Sequence, residues 1–197
     1  MKYQITMPIV NENFEIIFEG VLGSNKGDIS IDDIYLTQGK TCEELSLSTQ
    51  QPTTTALKPV DECDFEVNFC SWDASIVGNL PWQRRNGSNA VFGLAPFIDH
   101  TLESPFGVYA FVNSNSLSQL TEKAILRSQT LIWNQEMCYE FWYQLSGPSA
   151  STLSITLRNN TAREDLWIRR GNVADDWKHV YVRIPENKIR HWIDVEG

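Results

Sequence analysis

The stretch GDISIDDIYLTQGKTC, residues 27–42, is an apolar-polar strand pattern followed by a turn and a cysteine. A strand closed in this way is typical of the end of a domain. It stands, however, near the start of the chain. We therefore ask which domain this segment completes.

An internal repeat connects the two ends of the chain. Aligning KYQITMP (2–8) with HVYVRIP (179–185) matches Pro8 with Pro185, and the same offset matches Glu19-Gly20 with Glu196-Gly197. Residues 1–20 and 178–197 therefore read as two copies of one segment, a strand, a Pro-led crossover and a second strand.

The repeat predicts three regions. Residues 1–42 are the C-terminal strands of a preceding repeat, and residues 63–197 are most of the next repeat without its last strand. Residues 43–62, EELSLSTQQPTTTALKPVDE, are rich in Ser, Thr, Gln and Pro and predict a flexible linker.

Composition narrows the class of protein. The chain has 197 residues, 42% hydrophobic and 11% aromatic, which indicates a globular fold. The net charge of −9 disfavours nucleic acid as a partner. No apolar run is long enough to span a membrane. MKYQITMPIV (1–10) lacks the apolar core of a signal peptide, so a secreted protein would need its signal upstream.

Short strand patterns separated by turn residues fill the chain, and we find no convincing amphipathic helix. This predicts an all-β sandwich or barrel. The candidates, besides 27–42, are CDFEVNFC (63–70), GVYAFVN (107–113), KAILRSQTLIW (123–133), CYEFWYQL (138–145), TLSITLRN (152–159), EDLWIRR (164–170) and HVYVRIP (179–185). In CYEFWYQL, Tyr139, Phe141 and Tyr143 share one face, which we interpret as core.

Cysteines and sequons point weakly to an extracellular setting. The four cysteines, Cys42, Cys63, Cys70 and Cys138, fit two disulfides with three alternative pairings. Two glycosylation sequons begin at Asn86 and Asn159.

Catalytic patterns are not found. Asp99 and His100 are neighbours in FIDHTLES, but adjacent strand residues point to opposite faces, so we interpret His100 as a capped loop residue. The other histidines are His179 and His191. Acidic residues are more suggestive, because carboxylate oxygens suit Ca²⁺. The alternative interpretation is a solvated acidic face. The acidic residues in question are Asp28, Asp32, Asp33, Asp64, Glu66, Asp73 and Asp99.

Six segments together resemble a MAM domain, the extracellular adhesion module of meprins, neuropilins and receptor-type tyrosine phosphatases. They are CDFEVNFCSW (63–72), WQRRNG (82–87), DHT (99–101), CYEFWYQLSG (138–147), LWIRRGNVADDWKHVYVRIP (166–185) and, for the end of the module, FEIIFEGVLGSNKGDISIDDIYLTQGKTC (14–42). The resemblance implies a jelly-roll-like antiparallel β-sandwich with an adhesive or oligomerising role and no catalysis.

The resemblance also implies specific sites. Cys63 would pair with Cys70, and Cys138 would pair with the cysteine after the IDD strand, a position that only Cys42 matches in this chain. A structural cation, Ca²⁺ by its ligand type, would lie near Glu66, Asp99 and Asp33. The neighbouring candidate ligands are Asp64, Asp73 and Asp32.

Because the second module lacks its last strand, we hypothesise a permuted closure in which the IDDI strand fills the vacant position beside 63–197. Cys42 would then reach Cys138. Residues 1–20 and 178–197 would compete for one position, and we expect 178–197 to occupy it in a monomer. A swapped dimer is the alternative.

The leading functional hypothesis is a noncatalytic extracellular module, secreted or part of a membrane-protein ectodomain, that binds other proteins homotypically or heterotypically. The alternative is a carbohydrate-binding module with exposed aromatic platforms. Its candidate platforms are Trp82, Trp133, Trp167 and Trp192. A hydrolase has no specific support.

Overall fold

The structure is a computed structural model. It describes residues 14–23, 26–39, 41–47, 61–74, 79–91, 93–116, 122–131, 136–147, 151–158, 162–171 and 173–184. The repeat alignment falls largely outside these residues, at 1–13 and 185–197.

The described residues form mainly strands. They are β1 (Glu15–Val21), β2 (Ile29–Gln38), β3 (Asp61–Cys63), β4 (Gln83–Asn86), β5 (Val108–Val112), β6 (Lys123–Arg127), β7 (Met137–Leu145), β8 (Thr152–Arg158), β9 (Arg163–Arg170) and β10 (Val173–Ile184). One α-helix, α1 (Cys42–Leu47), and two short 3-10 helices, Gly87–Asn89 and Ser114–Ser116, complete the set.

Two antiparallel sheets pack face to face. One has the order β6-β1-β8-β9, and the other has the order β10-β7-β2-β5-β4 with β3 paired to β2. Along the strands, apolar residues that face the opposite sheet alternate with polar residues that face outward, as a sandwich requires. The predicted fold class, an all-β jelly-roll-like antiparallel β-sandwich, is confirmed.

The N-terminal segment occupies the centre of both sheets. β1 pairs with β6 on one side and with β8 on the other. β2 pairs with β7 along one edge, and along the other edge with β5 and then β3. Each of these strands therefore hydrogen-bonds to residues of 61–184 on both sides.

Where the structure describes them, the two repeat copies form different strands. In the alignment, residues 14–20 correspond to 191–197, and residues 178–184 correspond to 1–7. The structure places 15–21 in one sheet as β1 and 173–184 in the other as the end of β10. Each copy thus supplies a different strand, and our expectation that 178–197 would displace 1–20 is wrong for residues 15–20.

Aromatic side chains join the two sheets. Phe18 of β1 lies edge-on to Phe141 of β7 and to Trp72, with ring centroids 5.1 Å apart in both pairs. Phe18 and Phe141 are fully buried, and Tyr139 and Tyr143 share the inner face of β7. Edge-to-face packing of this kind adds to the free energy gained by burying the rings. The core interpretation of CYEFWYQL is therefore correct for these three alternating residues.

A bulge interrupts β2. Its pairing with β7 shifts register between Asp32 and Tyr35, and Asp33 has a left-handed φ of 48°. Ile31 and Ile34 are consequently both buried, although strict alternation would place residues three apart on opposite faces.

The structure corrects our strand prediction for 63–70. Only Asp61–Cys63 is a strand, and Phe65 and Cys70 have φ values of 57° and 54° that end the pairing. The Cys63–Cys70 disulfide closes this short loop. A second disulfide joins Cys42 to Cys138 on β7, and together the two account for all four cysteines.

Helix α1 is a second correction, since it lies at the start of the segment we interpreted as a flexible linker. Thr41 and Glu44 form a capping box. The Glu44 carboxylate accepts the Thr41 N–H at 2.7 Å, and the Thr41 hydroxyl accepts the Glu44 N–H at 3.2 Å. The sequence TCEE contains this signal, which our search for amphipathic periodicity missed.

Candidate functional site

The β4–β5 loop, residues 87–107, covers the outer face of the six-stranded sheet. Backbone carbonyls of the loop accept hydrogen bonds from side chains beneath it. The Tyr109 hydroxyl donates to Pro96 O at 2.7 Å, and the Trp177 indole donates to Ile98 O at 2.7 Å. The loop is therefore fixed to both β5 and β10.

Asp99 organises the tip of this loop. Its buried carboxylate accepts N–H bonds from Leu102 at 2.7 Å and from Ser104 at 2.9 Å. Gly107 packs directly against that carboxylate, since a Cβ at this position would lie 2.1 Å from the Asp99 oxygen. Without a side chain at residue 107, the turn can close on itself.

The loop presents apolar side chains to solvent. Phe106 is 75% exposed, and the others with high exposure are Val91, Phe97, Ile98 and Leu102. Sequence reasoning missed this group. Its signal is the pair of Pro-Phe steps, Pro96-Phe97 and Pro105-Phe106, in a segment with neither strand nor helix periodicity.

Three aromatic rings, one from the loop and two from the sheet beneath it, stack in a row. Trp142 of β7 lies between His100 and His179, with centroid separations of 4.1 and 4.0 Å. Each histidine is also held by a carboxylate. His100 Nδ1 lies 2.6 Å from Asp33 Oδ2, and His179 Nε2 lies 2.8 Å from Glu140 Oε1. Both histidines therefore have a structural role, and His100 pairs with Asp33 instead of its neighbour Asp99.

The structure brings four of the six candidate cation ligands close together. Asp32 accepts the N–H groups of Asp33 and His100, and its charge interacts with those of Asp33 and Asp99. Glu66 accepts the Val108 N–H at 2.9 Å, and burial, together with the contacting Asp99 carboxyl, raises its pKa.

These carboxylates are held in place by hydrogen bonds within the protein. Their oxygens already accept protein N–H and O–H groups, as in the contact of the Thr101 hydroxyl with Asp33 Oδ1 at 2.8 Å. Across the described residues, no three His, Cys, Asp or Glu side chains are arranged to hold a metal. We derive no role for a cation from this geometry, and the calcium site stays a prediction.

Of the remaining sequence candidates, Asp64 adjoins Glu66 of this cluster, and the others lie elsewhere in the structure or outside the described residues. Asp64 accepts the Glu66 N–H within its own turn, and the Asp73 backbone bridges to Arg127. The Asn86 side-chain oxygen accepts bonds from Ser88 and Asn89. Asn159 lies outside the described residues, as does His191, and both glycosylation sites stay predictions.

The candidate glycan platforms are placed unfavourably where they are described. Trp82 is only 3% exposed. Trp167 packs edge-on against Phe141 and Tyr143 of the core. Trp133 and Trp192 lie outside the described residues.

Replacing Asp32 with Asn is expected to flatten the pH dependence of stability. Burial raises the pKa of Asp32 from 3.8 to about 8, aided by the charges of Asp33 and Asp99 and opposed by the His100 N–H. The folded state thus prefers the protonated acid. This stabilisation is complete below pH 4 and is lost as pH rises toward 8, at about 1.4 kcal/mol per pH unit at most.

Thermal unfolding from about pH 5 to pH 8, in EDTA, checks this expectation. The Asn variant should lose less stability over this interval than the wild type, because its amide does not ionise. Asp176→Asn, at an exposed position of β10, is the matched control and should keep the wild-type slope. Equal slopes for all three proteins would contradict the buried position of Asp32.

Comparison with known proteins agrees with the β-sandwich fold described above. The family described as MAM domain, meprin/A5/mu, matches residues 63–197. The chain belongs to the MAM domain family. Outside the matched range, β1 and β2 complete the two sheets of this MAM fold. No solved structure matches the chain significantly.

Three curated relatives illustrate the range of similarity. MAM domain-containing protein 2 of Homo sapiens is 29% identical over 154 residues, covering 77% of this chain and 21% of the relative. Thyroid hormone-induced protein B of Xenopus laevis is 28% identical over 181 residues, covering 87% and 23%. Neuropilin-1 of Homo sapiens is 26% identical over 182 residues, covering 84% and 18%. The chain thus spans about a fifth of the length of these relatives.

Two structural observations bear on the setting of this MAM chain. Its two disulfides are typical of proteins that fold in an oxidising compartment. Among the described residues, no helix has the length and apolar character needed to cross a membrane.

Proposed function

We propose that this MAM chain is a noncatalytic extracellular module that acts through protein–protein contacts. The observation that carries this proposal is the β4–β5 loop, which holds five large apolar side chains in solvent while its backbone is anchored to β5 and β10. Exposed apolar groups on a fixed surface favour binding, because little conformational entropy is lost when a partner docks.

Ring stacking and carboxylate pairing on the sheet face under the loop support the same proposal. Trp142 stacks between His100 and His179, and one ring nitrogen of each histidine is held by a carboxylate, Asp33 for His100 and Glu140 for His179. The oxidising compartment indicated by the disulfides is consistent with an extracellular location.

A panel of purified ectodomains tests the proposal. The chain, immobilised through a single biotin, should bind at least one ectodomain saturably in surface plasmon resonance, and the reduced and alkylated chain should not. Saturable binding on a glycan array with none on the ectodomain panel would favour the carbohydrate-binding alternative and contradict the proposal.

A further inference from the structure

The exposed apolar group of the β4–β5 loop lies in a strongly acidic neighbourhood. Residues 91–107 contain the exposed Glu103 and the buried Asp99 but neither Lys nor Arg. The adjoining segment 61–70 contains four further acidic residues, of which Glu62 and Asp64 are exposed, and again neither Lys nor Arg. Apolar and acidic groups therefore share this part of the surface.

Direct contacts join the two segments. The Glu66 carboxylate accepts the N–H of Val108, the first residue after the loop, at 2.9 Å. Next to Glu66, Val67 is 80% exposed and adds an apolar side chain from the second segment. We call the surface formed by Val67, Phe97, Ile98, Leu102 and Phe106 the apolar rim.

The nearest guanidinium groups are engaged inside the protein. Arg84 donates to Phe65 O at 2.6 Å and to Glu66 O at 2.7 Å. Arg85 pairs with Asp28 at 2.6 Å and is largely buried. Neither can neutralise an exposed carboxylate such as that of Glu103 without giving up these bonds. The exposed Asp64 and Glu103 therefore keep their negative charges at the surface beside the apolar rim.

We propose that the apolar rim docks a protein segment that carries both apolar and basic side chains. This inference rests on the proposed function and specifies its partner. Apolar anchors on the partner would cover Phe106 and Leu102, while Lys or Arg at their edge would face Glu103 and Asp64.

A second copy of the chain fits this surface poorly. Two copies meeting at the apolar rim would bring like charges together, on a protein whose net charge is already −9. An anionic membrane surface is repelled for the same reason. A basic, apolar protein segment satisfies both features of the rim at once.

Three fluorescein-labelled peptides probe this surface by fluorescence anisotropy with the full chain. The first alternates Lys or Arg with Leu or Phe, the second replaces its basic residues with Glu, and the third replaces its apolar residues with Ser. Only the first should bind tightly, because only it matches both the charge and the apolar character of the rim.

Variants then locate the site. Leu102→Ser combined with Phe106→Ser should weaken binding of the first peptide about tenfold or more, as removing interface anchors does. Glu103→Lys should weaken peptide binding as well and reduce the salt dependence of binding.

Ile168→Ser is the matched control, since Ile168 is 45% exposed but lies on β9 in the other sheet. This variant should leave peptide binding unchanged. Leu102→Ser alone serves if the double variant unfolds.

Several outcomes would overturn the proposal. They are equal binding of the first and second peptides, equal weakening by Ile168→Ser, and unchanged binding by the Leu102 and Phe106 variants. A dimer in sedimentation that Phe106→Ser dissociates would identify a second copy as the occupant. If an ectodomain from the panel binds wild type and rim variants equally, the proposed function stands and this surface is rejected.

Discussion

A chain that begins at Asp61 is expected not to fold. Removing residues 1–60 deletes β1 and β2, each of which pairs with strands on both sides. It also removes seven fully buried core residues, namely Ile16, Phe18, Leu22, Ile29, Ile31, Ile34 and Leu36. At about 1.5–3 kcal/mol for each buried side chain, the loss is on the order of 10 kcal/mol. That is comparable to the whole stability of a domain.

Near-UV circular dichroism and urea unfolding measure this effect. The 61–197 chain should lack a near-UV signal and a cooperative transition. A chain beginning at Phe14 is the control, because it retains every described strand, and it should unfold cooperatively. A native-like transition for the 61–197 chain would contradict the central placement of β1 and β2.

Removing the Cys42–Cys138 disulfide is expected to cost more stability than removing Cys63–Cys70. The first joins residues 96 apart in sequence, and the second joins residues 7 apart. In the chain-entropy description, closing a loop of this longer length contributes about 4.7 kcal/mol, against about 2.5 kcal/mol for the shorter one. Cys138 is also fully buried on β7, so its bond fixes the end of β2 to the sheet.

Two double variants to Ala, one for each bond, provide the comparison in urea unfolding. Each serves as the control for the other, because both remove two sulfur atoms. Equal losses, or a larger loss for Cys63–Cys70, would contradict the expectation. Mass mapping of the wild type under oxidising conditions should find no free thiol.

Much of the architecture could be predicted from short-range patterns. Alternation identified β7 and its inner face, and turn residues separated most of the strands. These features depend on neighbours along the chain, which the sequence displays directly. The position of β2 beside residues 63–197 was predicted from the family resemblance together with the missing last strand of the second repeat, but its pairing with β7 was not named.

Other features could not be predicted because they arise between distant segments. The stacking of Trp142 with His100 and His179 requires residues 42 and 37 positions away in sequence to meet it. The bulge at Asp33 depends on a left-handed φ that Asp tolerates but does not demand. Whether Phe106 is exposed or buried also depends on contacts between distant segments, so the sequence alone does not predict its exposure.

The Cys42–Cys138 bond also has a mechanical consequence. If tension were applied to the chain on either side of this bond, it would pass through the sulfur bridge and bypass the 96 intervening steps of backbone. At about 3.5 Å per residue, roughly 330 Å of contour length would stay locked until the bond was reduced. A stretched chain would therefore lengthen far less when oxidised, and thiol reduction would set how far it can extend.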